Sequence, residues 1–286
     1  ITGVQAIADS GSNGGSTSLY IGSLIAPMGI AVEGNSGDTS KIDLEGISFL
    51  DSITDFKFKL TGNGPSSWAS GFSINGTYYT DSAQVNMTKS QVNDIKVCIV
   101  PDNSVGLGKY TLEMTSVQNP GADKREQEVW VISGVTDLVV NNSNSLGDGS
   151  AVNASNWEAD FLGGLAHAGN SAYASTDEKV LMELQLNNAT NGVNNVYFNV
   201  GWTFPSLTDE LVAVFQTYMD NGGNLLIAGQ DIGWETWEAA QYGYGSSATR
   251  YFYTNYLGAE HITDGSNASS TASFMSTDSV FGGLTS

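Results

Sequence analysis

The stretch Asp220-Asn221-Gly222-Gly223-Asn224-Leu225-Leu226-Ile227-Ala228-Gly229-Gln230-Asp231-Ile232-Gly233-Trp234 decides how the second half of this chain is read. Gly222-Gly223 ends a helix, because glycine accepts the left-handed backbone that closes a helix C-terminus. Leu225-Leu226-Ile227 is a short apolar run of the kind that forms a buried strand. Gly229 and Gly233 then punctuate a loop before a further helix. Upstream, Thr208-Asp209-Glu210 opens the helix that the glycines close. Leu211, Val212, Phe215, Tyr218 and Met219 share one stripe of it, and its first-turn acids complement the helix dipole. A strand at Val196-Tyr197-Phe198-Asn199-Val200 precedes it. Strands alternating with helices imply a parallel sheet with right-handed crossovers. In such sheets ligands sit past the carboxyl ends of the strands. That place holds Ala228, Gly229 and Gln230, with Asp231 next in line.

Working outward, the pattern extends back to Gly134. Val135 to Val140 reads as a strand, Asn156 to about Ala166 as a helix capped by Ser155, and Asp177 to Leu186 as a second helix. Trp234 to Ala240 and Thr249 to Leu257 also read as helical. Before Ser133 the period is two: Phe56, Phe58 and Leu60 alternate with Lys57 and Lys59, and Ile95, Val97 and Ile99 with Lys96 and Cys98. Short alternating strands between turns every eight to twelve residues or so describe an antiparallel sandwich. Trp68 is placed to plug its core. The organisation expected is a Gly/Ser-rich lead-in over 1–25, a β-sandwich over 26–133 and an α/β domain over 134–286, each domain with its own core.

The 286 residues include 34 Gly, 10 Lys+Arg and 30 Asp+Glu, for a net charge of −20. Such a surface repels phosphate backbones and anionic lipid heads, which excludes nucleic acid and membrane docking as expected partners. No stretch is long enough for a transmembrane helix. The single cysteine, Cys98, allows no intrachain disulfide and sits in a strand-like run as a small hydrophobe. The chain opens on Ile1 and closes on a glycine-rich turn, so it is expected to be part of a longer protein.

Two resemblances refine this. In the first half the order is Trp68 after a turn, then Val85-x-Met87-x-x-x-Gln91, Ile95-Lys96-Val97-Cys98-Ile99-Val100-Pro101 and Gly106-Leu107-Gly108-Lys109-Tyr110-Thr111-Leu112-Glu113-Met114-Thr115-Ser116. This resembles the immunoglobulin-like modules of secreted bacterial proteins, which serve as spacers or adhesive units. In the second half, Phe204-Pro205-Ser206-Leu207-Thr208, the run Tyr218 to Trp234, and Tyr253-Thr254-Asn255-Tyr256-Leu257-Gly258-Ala259 resemble the glutamine-amidotransferase-like, flavodoxin-type domain of secreted Bacteroidota-type surface proteins. That resemblance implies a flavodoxin-like α/β domain, here expected to be cut short at its C-terminus, and export by a type IX route. Active class I amidotransferases carry a Cys nucleophile at the sharp turn after this strand. Aligned by pattern, Ala228 or Gly229 stands there, and neither can replace a thiolate. His167 and His261, the only two histidines, match no motif.

Other constellations are missing: Gly-x-Ser-x-Gly, His-Glu-x-x-His, a phosphate-binding loop and Gly-x-Gly-x-x-Gly. Asp231, Glu235 and Glu238 read as a solvated helix face, with a glycosidase-like acid pair left open. Asp148 and Asp264 lie in oxygen-rich loops and are weak candidates for structural calcium; no other cofactor is expected. Trp234, Trp237, Tyr242, Tyr244, Tyr251, Phe252, Tyr253 and Tyr256 are dense enough for helix-to-sheet packing or for sugar stacking. The expectation is a non-catalytic structural or adhesive module, extracellular or at the cell surface, partnered by protein subunits or surface glycans. Gln230, Asp231, Trp234 and Trp237 are its candidate ligand-binding residues. The alternatives are an accessory domain pair of a secreted glycan- or peptide-degrading hydrolase, and a carbohydrate-binding module.

Overall fold

The computed structural model describes residues 23–26, 30–50, 53–118, 120–121, 124–142, 151–184, 192–201, 203–239 and 244–262. Ten strands come first: β1 (Ser23–Ala26), β2 (Ile30–Glu33), β3 (Ser40–Ser48), β4 (Thr54–Asn63), β5 (Ala69–Ile74), β6 (Thr77–Tyr79), β7 (Ser82–Met87), β8 (Val92–Val100), β9 (Gly106–Ser116) and β10 (Lys124–Ser133). They form two five-stranded sheets, ordered β1-β3-β8-β5-β6 and β2-β10-β9-β4-β7. The inward residues of both, among them Phe56, Phe58, Ile95, Val97, Ile99, Leu112 and Met114, are fully buried against each other. Trp68 joins this core and points its indole N–H at the Ser104 carbonyl, 3.3 Å away. The result is a sandwich of immunoglobulin-like type, its strands switching sheets along the chain.

Two expectations change here. The lead-in ends sooner than residue 25, because β1 begins at Ser23 and buries Ile25. The sandwich is also not wholly antiparallel: β2 runs parallel to β10, from Ile30 opposite Val129 to Glu33 opposite Ile132. A four-residue strand in this position covers the free edge of β10.

The α/β part follows as β11 (Asp137–Asn141), α1 (Ala151–His167), β12 (Tyr173–Thr176), α2 (Glu178–Leu184), β13 (Asn195–Gly201), α3 (Asp209–Asp220), β14 (Asn224–Gly229), α4 (Ile232–Trp237) and α5 (Ser247–Asn255). Its four strands are all parallel, ordered β12-β11-β13-β14. Alternation in β13 sorts the layers. Val196, Phe198 and Val200 face a core containing Phe215 of α3 and Val180 and Leu181 of α2, while Tyr197 on the other face meets Phe161 of α1 at 5.5 Å. Thr208 caps α3 by accepting from the Leu211 N–H.

This core is not separate from the sandwich. Ala31, Trp130 and Ile132, on the side of β2 and β10 turned away from the sandwich interior, belong to the same apolar cluster as Val180, Leu181 and Val196. Trp130 is flanked by Lys179 at 4.9 Å and Lys109 at 5.8 Å from its ring centre, and Glu128 pairs with both lysines. The sandwich therefore supplies one wall of the α/β core.

Four element readings shift. α1 starts at Ala151, ahead of Ser155, and α4 starts at Ile232 and stops at Trp237. β12 carries no fully buried residue and no apolar run, which hid it from pattern reading. β14 is not a buried central strand: it forms the edge of the sheet, and Leu226 is 44 % exposed, because no described element lies beyond it.

At the amino ends of the strands, Asp137 is buried with only 4 % of its surface exposed. Its carboxylate accepts hydrogen bonds from Thr136 Oγ1 (2.7 Å), Asn170 Nδ2 (2.7 Å), Asn195 Nδ2 (2.9 Å) and Tyr197 Oη (3.0 Å). Burial pushes its pKa up, but the four donors outweigh that and leave it below the ordinary Asp value.

Candidate functional site

The carboxyl ends of β13 and β14 converge at two glycines. A methyl group on Gly229 would stand 2.8 Å from Val200 Cβ and 3.0 Å from the Gly201 carbonyl oxygen, so no side chain fits there. The Gln230 N–H donates to that same carbonyl at 2.7 Å, locking the end of β14 against β13. The chain then turns at Asp231, whose backbone is left-handed (φ 58°, ψ 10°). A non-glycine residue rarely adopts this conformation. The Asp231 side chain makes no capping hydrogen bond that would repay it. α4 begins at the next residue, and a methyl on Gly233 would stand 2.7 Å from the Tyr253 hydroxyl and 3.0 Å from His261 Nδ1. Gly229-Gln230-Asp231-Ile232-Gly233 is thus a strand–turn–helix elbow. Glycine is sterically required at Gly229, where backbone meets backbone, while a side chain at Gly233 would displace only the ends of Tyr253 and His261; a carboxylate stands at the apex. The apex falls at Asp231, two or three residues after the Ala228 or Gly229 of the pattern alignment.

Asp231 lines a crevice of about 470 Å³ together with Gly233, Tyr253, Leu225, Ile227 and Leu257. Beside it, His261 is nearly buried and its Nε2 lies 2.7 Å from Glu238 Oε1. A carboxylate can only accept, so His261 donates from Nε2 to Glu238, and its Nδ1 lies beside Gly233.

Glu235 is 2 % exposed, which overturns the reading of Asp231, Glu235 and Glu238 as one solvated face. Both its oxygens accept from the Ser206 backbone N–H, at 2.7 and 3.0 Å, tying α4 to the loop after β13. Burial pushes its carboxyl above the ordinary Glu value; hydrogen bonds from Ser206 offset part of this, and the neighbouring Asp231 charge adds to it. Glu235 positions the elbow rather than reaching the crevice. At the other end of the sheet edge, burial likewise raises the Glu178 carboxyl, which accepts from the Asn142 side-chain amide.

Of the four ligand-binding candidates, Asp231 alone lines the crevice. Gln230 is exposed beside it and contributes its backbone. Trp234 is half-buried against Phe204, with ring centres 6.3 Å apart. Trp237 is 43 % exposed, with the Arg250 guanidinium 5.6 Å from its ring centre. Tyr251 is also exposed, whereas Phe252 is core. Sequence reading passed over Tyr253, Glu238 and His261 as a group, because they come from separate segments. The signal for the elbow was present in the spacing Gly-x-Asp-x-Gly. Asp148 and Asp264 lie outside the described residues, and among the described residues no three His, Cys, Asp or Glu side chains gather as a metal site. No helix among them is long and apolar enough to cross a membrane.

No protein-family model matches the chain, and no curated protein matches it. Solved structures similar to part of it include the PapD-like domain 7 of human CEP192, at 13% identity and a TM-score of 0.29, covering 46% of this chain and 95% of that one. The N-terminal domain of PorA is 9% identical with a TM-score of 0.29, covering 39% and 96%. The CooA pilin subunit from enterotoxigenic Escherichia coli is 8% identical with a TM-score of 0.29, covering 39% and 96%. At these scores the likenesses carry no argument about function.

Proposed function

We propose that this chain is a recognition unit of a larger extracellular or cell-surface protein. The immunoglobulin-like sandwich mounts a flavodoxin-type α/β unit, which takes its partner at the carboxyl edge of the parallel sheet. The strand order β12-β11-β13-β14 supports the flavodoxin-type reading, since it follows the first four strands of that topology. The observation that carries the function is the crevice beyond β14. Leu225, Ile227 and Leu257 give it apolar walls, Asp231 and Tyr253 bring polar groups to the same concave space, and polar and apolar surface share the lining about evenly. The partner expected is therefore one that combines an apolar group with hydrogen-bonding groups, such as a protein subunit. A library of small apolar fragments, followed by methyl NMR, tests this. Binders are expected to shift the Leu225, Ile227 and Leu257 methyls and to lose affinity in Leu257→Glu. A library that shifts methyls elsewhere and leaves these unmoved refutes the reading.

The exposed Trp237 ring favours a second reading, carbohydrate binding. A glycan array answered by the chain and silenced by Trp237→Ala would replace the first reading with this one.

A further inference from the structure

We propose that the crevice beside β14 takes an extended segment of another protein, which adds to the parallel sheet as a further strand. The middle of that segment is apolar, and its end at the Asp231 turn carries lysine or arginine. The partner so defined rests on the crevice being a ligand site and goes beyond it to the shape, backbone and charge of what enters.

Shape comes first. Leu225, Leu226 and Ile227 line the crevice in succession, with Tyr253 and Leu257 completing its wall. Consecutive residues of a strand point to opposite faces of the sheet. A space bordered by all three therefore runs along the edge of β14 and not over one face of it. An extended chain is the shape that follows such an edge.

The backbone agrees. The Asn224 N–H donates to the Asn194 carbonyl at 2.9 Å, and the register runs unbroken from Asn195 opposite Asn224 to Asn199 opposite Ala228. In a parallel ladder, alternate residues turn their N–H and C=O to the same neighbour. Leu226 and Ala228 thus follow Asn224 toward β13, while Leu225 and Ile227 turn both groups the other way, toward the crevice. Each offers an incoming strand one donor and one acceptor. Exposed edges are commonly blunted by charged side chains or proline. Asn224-Leu225-Leu226-Ile227-Ala228-Gly229 has neither, and Leu226 is left 44 % exposed on it.

Charge selects the occupant. Asp231 lines the carboxyl end of this slot, Glu260 is exposed next to Ala259, which also lines it, and no lysine or arginine is among the described lining residues. A basic residue on the incoming strand meets carboxylates there. A second copy of β14 brings no such residue, and a net charge of −20 opposes self-association. The sequence after Ile262 brings none either: 263–286 contain Asp264 and Asp278 but no lysine or arginine.

The test uses the whole chain and a blocked heptapeptide, Lys-Thr-Val-Thr-Val-Thr-Lys, with amide exchange read residue by residue by NMR. In the chain alone, the Leu225 and Ile227 amides are expected to exchange fast and the Leu226 and Ala228 amides slowly. Saturating peptide is expected to slow Leu225 and Ile227 by about tenfold or more and to leave the other two unchanged. The same peptide N-methylated at its central residues keeps the side chains and loses the donors, and is expected to bind about tenfold more weakly or worse. Leu226→Lys, at an exposed position, is expected to weaken binding about tenfold. Asp231→Asn, which tolerates the left-handed turn, is expected to weaken it up to about fivefold, and to leave a serine-ended counterpart of the peptide unaffected. Leu225 and Ile227 amides that are already slow in the chain alone overturn the proposal. If they are slow at every concentration, the chain's own residues cover the edge; if slow only at high concentration, a second copy does. An N-methylated peptide that binds as tightly as its parent also overturns it. So do apolar fragments that shift the Leu225 and Leu257 methyls where neither peptide does; both results leave the ligand site standing. No methyl shift with peptides or fragments removes both readings.

Discussion

Replacing Asp137 by Asn should remove about 3–4 kcal/mol of stability at neutral pH. The figure follows from the four donors. Each carboxylate oxygen accepts two hydrogen bonds: Oδ1 from Asn195 and Tyr197, Oδ2 from Thr136 and Asn170. An Asn side chain keeps one acceptor oxygen and aims its amide nitrogen at the other pair. Two bonds therefore lose their charge assistance, at roughly 1 kcal/mol each, and two donors are left facing another donor at roughly 1–3 kcal/mol each. Relaxation and non-additivity bring the sum down to the value given. The site is buried, so solvent does not rescue the orphans. The pH dependence is a second, independent readout. Folding lowers this carboxyl's pKa, so its stabilisation is fully present above the unfolded value of about 3.9. It is lost as pH falls through the folded value. Urea denaturation of wild type and variant at several pH values measures both effects. The deficit should be constant from neutral down to mildly acid pH and narrow below about pH 4. A deficit under about 1 kcal/mol at neutral pH, or one unchanged down to the acid limit of folding, would refute the argument that this carboxylate is ionised and organises the amino edge.

Trp130→Ala should cost about 3–5 kcal/mol and split one calorimetric transition into two, because Trp130 is the sandwich residue seated in the α/β core. A variant that still melts in one step would show that Ala31 and Ile132 suffice to couple the halves. For Glu235→Gln the sign is opposite to Asp137. Folding raises this carboxyl's pKa, so the folded state binds its proton more tightly and wild-type stability falls as pH rises from the unfolded value through the folded one. The variant lacks that dependence, so its stability relative to wild type should improve as pH rises from 4 to 7, and a difference flat across that range would count against a buried, proton-holding Glu235.

Much of the architecture was legible because it rests on local chemistry. Alternation at Phe56, Phe58 and Leu60, and at Ile95, Val97 and Ile99, set the sandwich core, since period-two burial is a property of any half-buried strand. The amphipathic stripe, the acidic first turn and the terminal glycines gave α3. What escaped was set by long-range packing. β12 shows no buried residue of its own and exists because β11 offers it an edge. Leu225-Leu226-Ile227 has the composition of a central strand, but composition does not count neighbours, and β14 has a described partner on one side only. The seam between sandwich and α/β unit escaped for the same reason: Trp130 alternates correctly with Val129 and Val131, and nothing local says that its outward side meets another core.

The site turned on where the elbow's apex falls. Placing a missing thiol at Ala228 or Gly229 made the bend look empty, because a methyl or a hydrogen carries no chemistry. Gly229 is where backbone meets backbone, 3.0 Å from the Gly201 carbonyl, and must lack a side chain. Four residues later, at Gly233, a Cβ would meet only the ends of the Tyr253 and His261 side chains, which can give. Asp231 stands between Gly229 and Gly233 in the left-handed region, which Asp adopts more readily than most non-glycine residues. Glu238, from just past α4, and His261, from beyond α5, pair with each other beside Gly233. No spacing rule joins residues 231, 238 and 261; the packing of α5 against α4 does.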